Sequence, residues 1–178
     1  MKTLYSISIN NHPVNRYLNR KSRKIIRSNT GPGCACLLLV LAMAFVPTIL
    51  CVDDDEDDLF FIREIISSQQ HSFEISEAKN GWEAINYLEI ALAKSLLPCL
   101  IIMDMNMPKM DGKQTIHKIK ENEQLASIPI VVFTTSTSNA DRKYFESQGI
   151  RFISKPFDYK IFTRQIIELL AFCADLEA

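Results

Sequence analysis

No acidic residue occurs among the first 33 positions of this chain, and no cysteine falls at a spacing that would bind zinc or form a redox centre. The second absence excludes those two chemistries for Cys34, Cys36, Cys51, Cys99 and Cys173. Their number is odd and two of them lie inside expected buried strands, which points to a reducing compartment and a cytoplasmic location. Long hydrophobic runs are also lacking. The apolar segment Cys34 to Val46 spans about a dozen residues, short of the roughly 20 that a membrane-crossing helix needs. No small-residue cleavage site separates it from the first expected strand, which argues against a secretory signal. Low-complexity tracts and solenoid repeats are missing from the remainder.

Charge is divided along the chain. Residues 1–33 hold seven basic side chains, Lys2, Arg16, Arg20, Lys21, Arg23, Lys24 and Arg27; the rest carries 13 basic against 21 acidic residues, a net of −8. An acidic body excludes the usual electrostatic footprint of a nucleic-acid binder, so no nucleic-acid partner is expected. Residues 1–46, basic and then apolar, have three readings: a disordered extension, a membrane-associating tail, or an upstream segment outside the working protein, with Met43 as its start. Residues 47–178 have the length of one domain. Nothing after the last expected helix leaves room for a second.

What is present from Thr48 onward is an alternation of short apolar runs and amphipathic stretches. That pattern specifies a doubly wound α/β fold, a five-stranded parallel sheet with helices on both faces. The expected strands are Thr48 to Val52, Phe73 to Glu77, Cys99 to Met103, Ile130 to Phe133 and Arg151 to Ser154. The expected helices cover 57–68, 81–93, 112–122, 140–147 and 159–174, with Leu59, Ile62, Ile65 and Ile66 sharing one face of the first.

Four of these strands end in chemically capable residues. Leu100-Ile101-Ile102-Met103 runs into Asp104, and Pro108 and Gly112 stop regular structure soon after. Ile49-Leu50-Cys51-Val52 runs into Asp53-Asp54-Asp55-Glu56-Asp57-Asp58. Asp57 and Asp58 suit the first turn of a helix, where acids oppose the dipole. Asp53 and Asp54 stand at the strand end itself, where mutual repulsion calls for a cation, and oxygen-only sites suit Mg²⁺. The fourth strand ends Phe133-Thr134-Thr135-Ser136, with Ser138 or Asn139 as the following helix cap, and the fifth ends Ser154-Lys155-Pro156-Phe157. Alone, Thr134 reads as part of a capping loop and Lys155 as a solvated charge. Together they change meaning, because in an open parallel sheet the carboxyl ends of the strands meet at one crevice. Asp53, Asp54, Asp104, Thr134 and Lys155 then form a metal-assisted phosphoryl-transfer site with Asp104 as acceptor.

Two other patterns compete for the acidic run. An EF-hand would take Asp53, Asp55, Asp57 and Glu64, but Asp58 occupies the glycine position and no helix precedes the loop. Haloacid dehalogenase phosphatases begin with two alternating aspartates, as Asp53 and Asp55 would be, yet Asp57 stands where that motif wants Thr or Val. This phosphatase is the enzyme alternative.

From about Pro47 to Leu176 the chain resembles the receiver domain of two-component response regulators, which have a flavodoxin-like fold. The resemblance rests on Asp53-Asp54, on Met103-Asp104-Met105-Asn106-Met107-Pro108-Lys109-Met110-Asp111-Gly112, on Thr134 and on Lys155-Pro156-Phe157. It implies that Asp104 accepts a phosphoryl group from a histidine kinase or histidine phosphotransfer protein. It implies Mg²⁺ held by Asp54, Asp104 and the main-chain carbonyl of Asn106, with Asp53 acting through water. It also implies a switch in which Thr134 and Lys155 engage the phosphoryl oxygens and Thr134 is coupled to the aromatic Phe152, where many members have Tyr. The longer stretch Asn86 to Pro98 marks a single-domain subgroup, whose output is contact with a downstream protein that the sequence does not name. Such a protein accepts phosphate and is not an enzyme with turnover. His12, His71 and His117 fit no phosphotransfer motif and read as surface residues; Trp82 is expected to open the second helix and pack against it.

Overall fold

Strands buried on both faces of a parallel sheet need nearly continuous apolar sequence. In the computed structural model, which describes residues 46–69 and 73–174, that requirement selects β1 (Thr48–Val52), β2 (Glu74–Ala78), β3 (Leu100–Met103), β4 (Ile130–Thr134) and β5 (Arg151–Ser154). β3 and β4 are buried at every position. β2, with its alternating Glu-Ile-Ser-Glu-Ala, is only partly buried and lies at an edge. The sheet is wholly parallel in the order β2-β1-β3-β4-β5. The other edge is β5.

The helices between them are α1 (Glu56–Ser67), α2 (Gly81–Lys94), α3 (Gly112–Lys120), α4 (Glu123–Ala126), α5 (Asn139–Ser147) and α6 (Tyr159–Ala174). Each site-proximal helix starts on a side-chain cap: Asp55 accepts from the Asp57 amide, Asp111 from Gln114, and Ser138 from Asp141. Residues 112–122, expected as one helix, divide: α3 ends at Lys120, and Asn122 caps the single turn α4 by accepting from Gln124 and Leu125. Asn at that position competes for backbone amides and restarts the helix. Residues Val46–Cys173 form one compact unit. The three readings of residues 1–46, and His12 and His71, fall outside the described residues apart from the strand lead-in.

The expectation drawn from the cysteines needs correction. Cys99, just before β3, is bonded to Cys173 in the last turn of α6, 74 residues away, while Cys51 is free and buried. Sequence spacing did not show this pairing. It arises because α6 runs back from the carboxyl end of β5 and returns its own end to the amino edge of β3. The pair removes the basis for inferring a reducing compartment.

Candidate functional site

The first site residues continue the sheet ladder by one step. The Asp104 amide donates to the Val52 carbonyl at 2.8 Å and the Asp53 amide to the Ala78 carbonyl at 3.0 Å, so both acids emerge at the carboxyl edge in fixed register. Thr134 ends β4, and the Lys155 amide donates to its carbonyl at 2.7 Å. Gly112, opening α3, lets the chain return against Asp104: a Cβ there would collide with the Asp104 carbonyl oxygen, so only glycine permits the approach. The order 2-1-3-4-5 puts the crevice where the strand sequence reverses, between β1 and β3. Asp53 and Asp104 stand on either side of it.

One ammonium serves three carboxylates. Lys155 Nζ lies 2.5 Å from Asp53 Oδ2, 2.7 Å from Asp58 Oδ2 and 3.6 Å from Asp104 Oδ1. The side chains of Lys155, Asp53 and Asp104 are each about 7% exposed or less, too little for water to stabilise the charges, so they depend on one another. Burial pushes the Asp53 carboxyl up to about 6, against the opposing pull of Lys155 and of the Asp55 amide, while nearby Asp104 raises it further. Burial favours neutral Lys155, but Asp53 and Asp58 outweigh it and raise its pKa, keeping the ammonium charged.

Asp104 is held from one side only. Its Oδ2 accepts from the Asn106 amide at 2.8 Å, while its buried Oδ1 has no hydrogen bond among the described residues. Carboxylate oxygens of Asp53, Asp54 and Asp104 all lie within 4.8 Å of one another. Two are buried and Asp54 is exposed at the mouth. An unsatisfied buried carboxylate oxygen beside two further carboxylates is a donor set for a hard divalent cation, with the open side of Asp54 left for water or phosphate. The residues fit the group.

Asp53, Asp54, Asp104 and Lys155 are therefore brought together as the sequence proposed. Thr134 is fully buried at the same edge, its hydroxyl accepting from the Ser136 amide at 3.3 Å. Asn106 reaches Asp104 through its amide. Phe152 is 4% exposed; its ring stacks on Phe145 with centroids 6.2 Å apart and planes at 20°.

Asp58 departs from expectation. The sequence pattern assigns it to helix capping, but Asp55 holds the cap and Asp58 reaches back to Lys155. Helical side chains tilt toward the N-terminus, and the docking of α1 with that end at the strand edge carries Asp58 to Lys155. Trp82 opens α2 as expected, 54% exposed, with Lys118 Nζ 4.6 Å from its ring centroid. His117 is on the surface, 3.3 Å from Glu121. The Asp55 side chain is an exposed helix cap outside the group formed by Asp53, Asp54 and Asp104, which removes the alternating carboxylate pair that the phosphatase alternative required.

The response regulator receiver domain family matches residues 49–167. A histidine kinase, P4 of Formosa agariphila, is 37% identical over 124 residues, 69% of this chain and 8% of that protein. PilH of Pseudomonas aeruginosa is 27% identical over 124 residues, 69% of this chain and 97% of PilH. Among solved structures, the phosphorylated cyanobacterial phytochrome response regulator RcpA is similar with a TM-score of 0.66 at 27% identity, over 72% of this chain and 94% of RcpA. The Mn²⁺-bound response regulator Rcp1 is similar with a TM-score of 0.65 at 27% identity, over 71% of this chain and 94% of Rcp1. No helix among the described residues is long and apolar enough to cross a membrane. These relatives lend no support to a haloacid dehalogenase. With its parallel sheet, strand-end acids and family match, the chain belongs to the response regulator receiver domains and is a phospho-accepting regulator of two-component signalling.

Proposed function

We propose that Asp104 is the phosphoacceptor and that a histidine kinase or histidine phosphotransfer protein is the donor. One observation carries the assignment. Asp104 Oδ1 is the buried, unbonded carboxylate oxygen that faces Lys155 across the pocket, whereas Asp53 is bonded to Lys155 and to the Asp55 amide. In the transfer, Oδ1 attacks phosphorus, the nitrogen–phosphorus bond of the donor breaks, and the donor imidazole leaves with that electron pair. The Asn106 amide holds Oδ2 and so aims Oδ1. Lys155 loses Asp104 as a negative neighbour and gains a phosphoryl oxygen in its place.

Mg²⁺ is the metal that this reading assigns, held by Asp54, Asp104 and the Asn106 carbonyl with Asp53 acting through water; it would offset charge on the transferring phosphoryl group. The oxygen-only donor set supports Mg²⁺, and Mn²⁺ in similar Rcp1 supports a divalent ion. The chain acts as acceptor and switch, without turnover of a substrate. Thr134 and Phe152 carry the switch, and a downstream protein reads it. A cytoplasmic location belongs to the same reading; the Cys99–Cys173 bond, at 2% and 0% exposure, is shielded there from thiols.

Acetyl phosphate with Mg²⁺ tests the assignment. Wild type is expected to gain one phosphoryl group, read by intact mass, and Asp104→Asn none. Equal labelling of both would sink it.

A further inference from the structure

We infer that Asp58 is a positioning residue for phosphoryl transfer: it holds the Lys155 ammonium close to Asp104 but off the oxygen that accepts the phosphoryl group. The inference rests on the reading of Asp104 as phosphoacceptor and adds a residue to that same site.

Asp104 Oδ1 is buried and has no hydrogen bond among the described residues, yet an ammonium stands only 3.6 Å away. Burial should draw the two together, because a buried carboxylate oxygen left unpaired is destabilising. What restrains Lys155 Nζ is a pair of shorter contacts, with Asp53 Oδ2 at 2.5 Å and Asp58 Oδ2 at 2.7 Å. An ammonium carries three protons. Two go to these carboxylates, and the third has Asp104 Oδ1 as its next carboxylate oxygen, out of bonding reach.

That separation suits the transfer. An ammonium bonded to Oδ1 would cover the attacking lone pair and would have to leave before phosphorus could approach. Held back by Asp58, Lys155 leaves the lone pair free and keeps a proton for a phosphoryl oxygen. A group preset where charge will appear lowers the barrier, because little must reorganise at the moment of reaction.

The helix α1 puts Asp58 in this place. Leu59, Ile62, Ile65 and Ile66 form its buried stripe, and Asp58, four residues before Ile62, continues that stripe by one turn at the strand edge. An acid stands where the stripe calls for an apolar residue, with its side chain 22% exposed. It is not among the acids that cluster as a cation site, and the cap of α1 is Asp55. Its one side-chain partner among the described residues is Lys155.

Two other roles for Asp58 predict different behaviour. An acid that only adds negative charge would repel an incoming phosphoryl group; its removal would speed transfer, and a neutral amide there would act like alanine. An acid that only supports the start of α1 would alter melting and leave the pocket unchanged. A positioning acid acts through Lys155, so the oxygen that accepts from the ammonium matters more than the charge.

The test compares the full chain as wild type, Asp58→Ala, Asp58→Asn, Lys155→Ala and the Asp58→Ala, Lys155→Ala double variant. Two quantities are read in saturating Mg²⁺: the rate of labelling by acetyl phosphate, from intact mass, and the affinity for beryllofluoride. Asp58→Ala is expected to label about tenfold more slowly and to bind beryllofluoride about tenfold more weakly, the scale of one hydrogen bond to a charged group. Asp58→Asn, which keeps an oxygen for the ammonium, should stay within about threefold of wild type. In the Lys155→Ala background, Asp58→Ala should have no further effect. Should Asp58→Ala fold poorly, Asp58→Leu extends the apolar stripe and should show the same loss. Faster labelling or tighter binding without Asp58, equal behaviour of the Ala and Asn variants, or a full effect without Lys155 overturns the positioning role. So do pocket readouts that stay at wild-type values, whatever the melting temperature does. A wild type that neither labels nor binds beryllofluoride overturns the phosphoacceptor reading, and the role of Asp58 with it.

Discussion

At the amino-terminal edge of the sheet, Cys99 is bonded to Cys173 and both are buried; at the carboxyl-terminal edge, three carboxylates and an ammonium are buried or half-buried together. The same parallel strands run through both. The amino edge closes the fold, tying the start of β3 to the last turn of α6. The carboxyl edge works against the fold, because charges withdrawn from water are stabilised only by one another. A receiver needs that imbalance, since a site already satisfied by its own protein would gain nothing from metal or phosphate. Asp104 Oδ1 is the part left open.

The sharpest way to break the comparison is to remove the support at the amino edge. Reducing the disulfide, or replacing Cys99 and Cys173 by Ser, frees a loop of 74 residues, which in a chain-entropy account costs about 4 kcal/mol. Denaturant midpoints with and without reductant measure this. Phosphoryl labelling of the folded fraction should be unchanged, because the bond is a strand length from the pocket. A change in labelling rate would mean that the edges are coupled through β3.

Lys155→Ala disturbs the other edge, with a smaller effect on stability and a larger one on function. It leaves Asp53 and Asp104 buried without their counter-charge, a loss of about 3 kcal/mol at neutral pH without metal. The sign of its pH dependence comes from Asp53. An acid whose folded pKa is raised, here from 3.8 to about 6 in the presence of Lys155, favours the folded state when protonated. That contribution is complete below the ordinary value and is lost as pH rises through the folded one. Without Lys155 the folded value moves higher still, so the deficit relative to wild type should shrink as pH falls from that higher value toward about 6 and stay level below it. Thermal melts across pH 5 to 8 read it. The variant should still accept phosphate on Asp104 while its β5 resonances cease to respond; a retained response would remove Lys155 from the switch.

The two edges also differ in how far the sequence revealed them. Strand-end acids were legible because each follows an unbroken apolar run, and a parallel sheet collects such ends at one crevice. Asp53, Asp54, Asp104 and Lys155 were legible in this way, and the five strands lie within a residue of expectation at each end. Cys99 and Cys173 were not legible as a pair, since their proximity depends on where α6 ends after its return along the sheet. Asp58 escaped for a related reason: local pattern showed an acid in a first turn, and only the docking of α1 decided that it faces Lys155.

The acidic run Asp53 to Asp58 provides the smallest and most discriminating contrast, because it places a structural acid two residues from functional ones. Asp55 accepts from the Asp57 amide at 2.9 Å as the cap of α1 and is exposed. Replacing it by Ala removes one hydrogen bond at a helix start, a loss of about 1 kcal/mol. A helix cap contributes through α1 alone, so the melting temperature should fall slightly while Mg²⁺ affinity and acetyl phosphate labelling stay at wild-type levels. A catalytic Asp55, as an alternating pair with Asp53 would require, predicts the reverse: little change in melting and loss of phosphoryl chemistry. Its backbone amide, which donates to Asp53 Oδ1 at 3.1 Å, is untouched by the substitution. Asp55→Ala therefore separates what the side chain does for the helix from what the main chain does for the pocket.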